Sequence, residues 1–334
     1  MKVCVFGCKN TTRVLVREVR RLFGIESVIT IDPEKGKRIE VADYSDLSDL
    51  KSDFGIRIHN AFRYDLISDN DLQFFKEHSF DLGFVAGWQR LVPPEILETF
   101  SIGVFGMHGS SANLPKGRGR SPMNWSLIEG RQVFYTNLFR YDPGVDSGDI
   151  IDTFCFSIRD GDTSETLHYK NILSMTALIR RNRGSFLERK LTCRGQDDVD
   201  ATYYPKRQPS DSLIDWEAPI ERIERFIRAV APPFNGAFTT CRGRRVTLFR
   251  TEIFELDSVP LCEKGENGEV IEVFPSGKFL VCCSGGVLIV HEFEVDGEAV
   301  IERGDRLSDG ESVRKVFPLN RHGGHDIGEE GMIS

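Results

Sequence analysis

The chain is 334 residues long, with 43 Lys and Arg against 51 Asp and Glu and a hydrophobic share of 40%. That is the make-up of an ordinary globular protein, with room for a mid-sized domain and a smaller one, and it excludes wholesale disorder. No apolar run approaches the roughly 20 residues a membrane helix needs. The opening MKVCVFGCKN lacks the h-region and small-residue cleavage site of a secretory signal. The eight cysteines show no CxxC…CxxC metal spacing, so buried reduced thiols are expected rather than a disulfide framework. Cytoplasm is the expected compartment, with no membrane partner and no metal. Charge is unevenly spread. From Gln208 onward there are 14 Lys and Arg against 23 Asp and Glu, net −9, so the preceding part is close to neutral.

In chain order, residues 2–6 (KVCVF) predict a buried strand. The stretch TRVLVREVRRLFG carries Val14, Val16, Val19, Leu22 and Phe23 at roughly helical spacing, with Gly24 as a stop. Residues 27–31 predict a second strand, 43–53 a loop or short helix, and 71–77 a helix. DLGFVAGW reads as a buried strand ending at Gly87. Pro93 sits in the first turn of a helix predicted to reach residue 100. Residues 102–108, 121–129 and 133–139 predict strand, helix and strand. Apolar strands alternating with helices indicate an α/β fold with a doubly wound, mostly parallel sheet.

Polar residues gather with Pro205 and Pro209 in 196–215, a predicted linker after a first domain of residues 1–195. Residues 221–230 (ERIERFIRAV) predict a helix stopped by Pro232 and Pro233. RRVTLF, TEIFEL, EVIEVF, KFLVCC and VLIVHEF then predict short strands separated by glycines. They read as a small OB-like β-barrel over 216–304. From 305 to 334 the composition turns polar and Gly-rich, and a loosely held tail is expected.

Open α/β sheets place ligands at the carboxyl ends of their strands. Three such ends carry residues able to do chemistry: GWQR at 87–90, GMHGS at 106–110 and DPGVDSGD at 142–149. Each alone has a bland reading. A histidine at a strand end is more often structural than catalytic. DPGVDSGD reads equally well as a glycine-supported acidic turn, and it lacks the distal bidentate Glu of a calcium loop. GCKNTT fits neither a GxGxxG nor a Walker loop.

Order and spacing carry more. GFVAGWQRLVPPEIL, GVFGMHGSSANLPKGRGRSPMNWSLIEG and FYTNLFRYDPGVDSGDII together resemble the folate-dependent formyltransferase family. That family includes methionyl-tRNA, glycinamide ribonucleotide and sugar-nucleotide N-formyltransferases. The most specific part is LPK-x-RGR-x-P-x-NW, a fixed distance before x-G-x-D-x-G-D-I. A weaker resemblance runs through ATYYPK, IDW and PPFNGAFT into the β-rich region, where two-domain members carry a small barrel.

The resemblance implies an enzyme that moves a formyl group from N10-formyltetrahydrofolate, as co-substrate, onto an amine. It implies His108 as the catalytic histidine and Asp146 as its acidic partner. It places the pterin against Gly87, Trp88, Gln89, Arg90 and Leu91, and against the loop containing Asp142 and Gly144. Trp88 also reads as core packing. Gly109 and Ser110, beside the histidine, are candidate substrate contacts. So are Arg118 and Arg120, which suit an anionic group held by bidentate hydrogen bonds or a loop salt bridge to the acidic turn.

The reaction makes demands that these residue types meet. An amine must attack a formamide carbon, a poor electrophile, and the tetrahedral oxyanion must be stabilised. Histidine moves protons near neutral pH, and a neighbouring carboxylate orients the ring. The sequence departs from the family at one point. The usual Asn-x-His, whose amide serves the oxyanion, here reads Gly106-Met107-His108. Either the donor has moved, with Asn137 on the strand leading to Asp146 as the candidate, or the site has decayed into a folate- or nucleotide-binding module. Asn137 also reads as a strand residue that holds Asp146.

An acidic C-terminal third is a poor surface for a polyanion, because nucleic-acid affinity rests mainly on phosphate neutralisation. That argues against tRNA, since GRR at 243–245 is a small basic cluster. SPMNW after RGR resembles the sugar-nucleotide branch. The expected acceptor is therefore a nucleotide-linked amino sugar, with methionyl-tRNA as the alternative, and a homodimer is compatible with either.

Overall fold

The computed structural model describes residues 1–39, 41, 43–254, 265–297, 299–310, 312 and 317. Strand β1 (Val3–Phe6) is wholly buried. Helix α1 (Asn10–Phe23) buries Leu15, Val16, Val19 and Leu22, and Gly24 closes it with an N–H donated to Arg20 O. Then come β2 (Ser27–Thr30), α2 (Pro33–Arg38), α3 (Leu50–Phe54), β3 (Arg57–Asn60) and α4 (Asp69–His78). They are followed by β4 (Leu82–Val85), α5 (Pro94–Leu97) and β5 (Gly103–Ser110). Beyond the two-residue β6 (Arg118–Gly119) lie α6 (Pro122–Ile128), β7 (Val133–Arg140), β8 (Ile150–Ser157), α7 (Ser164–Arg181) and α8 (Arg183–Leu187).

The main sheet has the order β3-β2-β1-β4-β5-β7-β8. Strands β1 to β5 pair in parallel, while β7 and β8 run antiparallel. This is the expected doubly wound, mostly parallel sheet. Its order reverses at β1, between β2 and β4, which opens a crevice at the carboxyl ends. β5 outruns β4: Val85 pairs with Gly106, whereas His108 and Ser110 pair with β7. One face is covered by α1 and α7, through Leu15, Val19, Phe105, Leu138, Met175 and Leu178. Phe6, Ile29, Phe75 and Phe100 fill the other, each contributing roughly 1.5–3 kcal/mol by leaving water.

The second half begins with β9 (Tyr203–Tyr204), which pairs in parallel with β6. Helix α9 (Ile220–Val230) precedes β10 (Ala237–Cys241), β11 (Arg244–Ile253), β12 (Val270–Val273), β13 (Phe279–Cys283), β14 (Gly286–Val295) and β15 (Leu307–Ser308). RRVTLF and the start of TEIFEL form one strand, β11, irregular between Leu248 and Thr251. The antiparallel order is β12-β13-β14-β11-β10-β15. Val270 N donates to Asp305 O and Leu307 N to Gly268 O, both at 2.8 Å. These bonds join the outer strands and curl the sheet around Val246, Leu248, Phe279 and Leu288, with Ile223 and Ile227 of α9 packed among them.

Three expectations need correcting. Residues 196–215 do not form a free linker, because β9 joins the sheet pair at β6 and Leu213 bridges Phe238. Leu307 is 1% exposed and pairs with Cys241, so the barrel extends through residue 308 and the tail cannot begin at 305. Residues 313–316 and 318–334 lie outside the described residues. Cys282 is disulfide-bonded. Strand alternation explains this: Cys283 turns into the barrel core, while Cys282 Sγ lies toward Gly265 on the other face. Cys4, Cys8, Cys155, Cys193, Cys241 and Cys283 are free thiols. Among the described residues no helix is long and apolar enough to cross a membrane. Leu307→Ala should cost about 2–5 kcal/mol by leaving a cavity at the barrel seam, measured by denaturant unfolding. A change below about 0.5 kcal/mol would return this segment to a loose tail.

Candidate active site

His108 lies near the end of β5 and is 5% exposed. Directly paired residues of antiparallel strands project to the same face, and His108 pairs with Asn137, which in turn pairs with Thr153. The three therefore form one row across β5, β7 and β8. The turn after β7 delivers Asp146 to this row. His108 Nδ1 lies 3.2 Å from Asp146 Oδ2, and Nε2 lies 2.6 Å from Gly117 O. Both partners are acceptors, so the ring satisfies both contacts only as the imidazolium. A neutral ring keeps one.

Asp146 adopts a left-handed backbone with φ 53°, which costs an L-residue roughly 1–3 kcal/mol. Three contacts hold it there. Gly119 N donates to its Oδ2 at 3.1 Å, His108 meets the same oxygen, and Gln196 Nε2 donates to its carbonyl at 2.9 Å. Gln196 also donates to Gly148 O at 2.6 Å. The glycine at 148 is obligatory, because a Cβ there would fall 1.7 Å from Arg140 O. Sequence reasoning missed Gln196 altogether; it sits in a polar stretch with no motif around it.

Asn137 is fully buried, and its Oδ1 accepts from Thr153 Oγ1 at 2.8 Å. Among the described residues its amide nitrogen has no hydrogen-bond partner. A buried amide donor left unmade costs about 1–3 kcal/mol.

A cavity of about 860 Å³ runs along Trp88, Gln89, Arg90 and Leu91, past Met107, Phe139 and Tyr141, to Asp142, Gly144 and Asp146. It joins the GWQR and DPGVD segments. Trp88 packs edge-on against Phe6 and Tyr64, so it is both core and wall, and its buried Nε1 has no hydrogen-bond partner among the described residues. Asp142 is spent within its own loop, accepting from Ser147 Oγ and Gly144 N. Gly87 turns the chain off β4 at φ 78° and accepts from Cys8 N.

A second cavity of about 760 Å³ adjoins through Gln89, Arg90 and Arg120. Arg90, Arg120, Lys206 and Arg207 all line it, and among the described residues its lining contains no Asp or Glu. Burial, then the charge of Arg90, lowers the Arg120 guanidinium below its usual value. Burial and the charges of Arg120 and Arg90 do the same to Lys206. Burial brings Arg207 down to about 10. Crowded cations of this kind are relieved by an anion. Phe234 and Asn235, between α9 and β10, close the far wall, so the second half contributes to the cavity. Lys206, Phe234 and Asn235 lie in the ATYYPK and PPFNGAFT segments but were not singled out as site residues, and Arg207 escaped the sequence reading.

Other expected substrate contacts do not reach either cavity. A Cβ on Gly109 would strike the Asn171 side chain, because that residue faces α7 on the opposite side of the sheet. Ser110 is fully buried, and its hydroxyl accepts from Ala112 N. Arg118 is 1% exposed, with its donors on Gln196, Asp198 and Tyr203. It is a structural strut, pairing with Asp198 rather than with the acidic turn. Among the described residues no group of three or more His, Cys, Asp or Glu could hold a metal.

Comparison with known proteins gives this arrangement a family. Residues 54–175 match the formyl transferase model and residues 206–305 match the formyl transferase C-terminal domain. The chain belongs to the formyl transferase family, with the N- and C-terminal domains both represented. Solved structures share the fold at low identity. An N-formyltransferase from Helicobacter canadensis, in complex with folinic acid and dTDP-3-aminofucose, superposes with a TM-score of 0.61 at 17% identity, over 88% of this chain and 100% of that one. HypX from Aquifex aeolicus in complex with tetrahydrofolic acid gives 0.62 at 16%, over 91% of this chain and 46% of that one. A 4-N formyltransferase from Francisella tularensis gives 0.54 at 16%, over 71% and 91%.

Gln196→Leu should remove two acceptor–donor bonds from the Asp146 turn and one acceptor from buried Arg118. We expect a loss of about 1–3 kcal/mol in denaturant unfolding. Unchanged stability would mean that the turn holds itself.

Proposed function

We propose that this protein transfers a formyl group from N10-formyltetrahydrofolate to the primary amine of a nucleotide-linked amino sugar. The observation that carries the reading is the His108–Asp146 pair, with Asp146 in the wall of a cavity bordered by the GWQR segment and a second, cation-lined cavity adjoining that one through Gln89, Arg90 and Arg120. The first cavity lies within the range typical of small-molecule sites, roughly 300–1,000 Å³, and suits the pterin of the donor. Folate complexes of the Helicobacter and Aquifex proteins support that choice. The cationic cavity suits the diphosphate of a nucleotide sugar, as the dTDP-sugar complex of the Helicobacter enzyme suggests.

In this reading the amine enters from the cationic side and attacks the formyl carbon. His108 and Asp146 take the proton the amine sheds and return one to the departing folate nitrogen. Freeing His108 for this requires its ring to release either Gly117 O or the carboxylate. Asn137 supplies its unpartnered amide N–H to the developing oxyanion, where each aligned donor is worth about 3–4 kcal/mol. The relocated-donor reading is favoured over a decayed site because that N–H is buried, unmet and in the same row as His108. Methionyl-tRNA is disfavoured by the acidic C-terminal third.

The test is to supply formyl-tetrahydrofolate with amino-sugar nucleotides or charged initiator tRNA and read tetrahydrofolate release. Turnover with tRNA alone would sink the sugar assignment. His108→Ala should abolish release while donor binding persists, and near-normal turnover would remove His108 from the chemistry. Asn137→Ala should lower kcat at least tenfold with donor affinity unchanged; a neutral result would place the oxyanion elsewhere.

A further inference from the structure

Gly106 lies two residues before His108 on β5, so both positions project to the same face of the sheet. That face is not empty above Gly106. A Cβ there would fall 2.1 Å from Tyr141 Cε2, 2.9 Å from Cζ and 3.1 Å from Cδ2. The hydroxyl-bearing end of the Tyr141 ring therefore occupies the volume that any side chain at 106 would take. Glycine is the one residue that admits it, since real Cβ contacts do not approach so closely.

The ring is well fixed. Tyr141 N donates to Val104 O at 2.8 Å, and the ring stacks on Phe139 with centroids 5.2 Å apart and planes 14° off parallel. Tyr141 lines the larger cavity together with Asp146 and Trp88. Among the described residues its hydroxyl makes no hydrogen bond. Burial and the charge of Asp146 push the phenol well above its usual value, so it stays protonated and can only donate to an anionic oxygen.

We propose that the Tyr141 hydroxyl donates a hydrogen bond to the oxygen of the transferring formyl group, from the space vacated by a side chain at position 106. The assignment rests on the formyl-transfer reading above and deepens it. Tyr141 and Asn137 then approach the reacting centre from different strand positions, one from the turn after β7 and one from its middle. Gly106 and Tyr141 act as a pair: the glycine makes the room and the tyrosine brings the donor.

The test uses the full chain with formyl-tetrahydrofolate and its best acceptor. Tyr141→Phe keeps the ring, the stacking and the contact with Gly106, and removes only the hydroxyl. We expect kcat to fall at least tenfold, with the dissociation constant for the donor and the KM for the acceptor little changed. Gly106→Ala should lower both activity and Tm in the wild-type background, and should lower neither further once Tyr141 is Ala. If wild type turns over and Tyr141→Phe matches its kcat, the hydroxyl has no such role. Additive costs for Gly106→Ala and Tyr141→Ala would likewise remove the steric pairing on which the proposal stands. If wild type releases no tetrahydrofolate with any acceptor, it is the formyl-transfer reading that fails, and this proposal falls with it.

Discussion

Much of the site depends on keeping Asp146 in a backbone conformation that L-residues avoid. Its carboxylate reaches His108 only because the turn after β7 folds back tightly enough for Gly148 to touch Arg140 O. Within the turn, Asp142 accepts from Gly144 N and Ser147 Oγ, and Arg140 N donates to Asp149 O, but none of these bonds reaches Asp146 itself. The restraint on Asp146 comes from outside: Gly119 from β6, and Gln196 from well beyond β8. Gln196 is in turn braced by Arg118, whose guanidinium donates to its amide oxygen at 2.9 Å. The buried arginine thus takes part in the site without facing a cavity. Its charge, engaged by Asp198 and Tyr203, stiffens the frame that presents Asp146.

How much of this was legible in the sequence depends on the physics that leaves a trace in it. Strands such as VCVF and helices such as α1 announce themselves by burial pattern, and they were read close to their observed bounds. β3 carries RIHN with exposed ends and has no apolar alternation to read. The order of GMHGS and DPGVDSGD pointed to His108 and Asp146 as neighbours, and the two side chains do meet, 3.2 Å apart. Long-range partners leave no such trace. Gln196 sits 50 residues from Asp146 in a polar stretch. Gly109 and Ser110 show a simpler limit: proximity in sequence to His108 says nothing about sheet face. Residue 109 points to α7, and residue 110 lies beyond the cavity, under the loop that returns at Gly117.

Charge is divided across the molecule in a way the net value hides. The C-terminal third is acidic overall, yet it contributes Phe234 and Asn235 rather than carboxylates to the cationic cavity. The contact between the halves mixes neutral and charged groups: Tyr204 Oη donates to the Glu129 carboxylate at 2.9 Å and Arg228 Nη1 to Asp162 O at 2.7 Å. Asn124 Nδ2 and Ser164 Oγ both donate to Ala229 O at 2.5 Å, and Trp125 Nε1 donates to Pro205 O at 2.9 Å. Arg90, Arg120, Lys206 and Arg207 gather on one cavity, which makes it the more positive part of the molecule and the side from which an anionic acceptor would enter. A low-dielectric cleft strengthens such a field. An acidic exterior and a cationic interior together favour a small anion over a large one, since only the small one can reach the inner charges without meeting the outer surface.

The same economy of space explains the departure at Gly106. A side chain there and the Tyr141 ring compete for one volume, and the sheet register forces the competition. Gly106 pairs with Phe139, and Tyr141 N bonds to Val104 O, so the tyrosine leaves β7 with its ring leaning over Gly106. A polar residue at 106 would project a short donor from β5 itself. A tyrosine at 141 projects a longer one from the neighbouring strand to the same place, carried on a ring that also buries apolar surface against Phe139. Loss of a side chain at 106 is then not loss of function at that position. What the site requires is a neutral donor at a fixed point in space, and the sheet offers two strands from which to supply it.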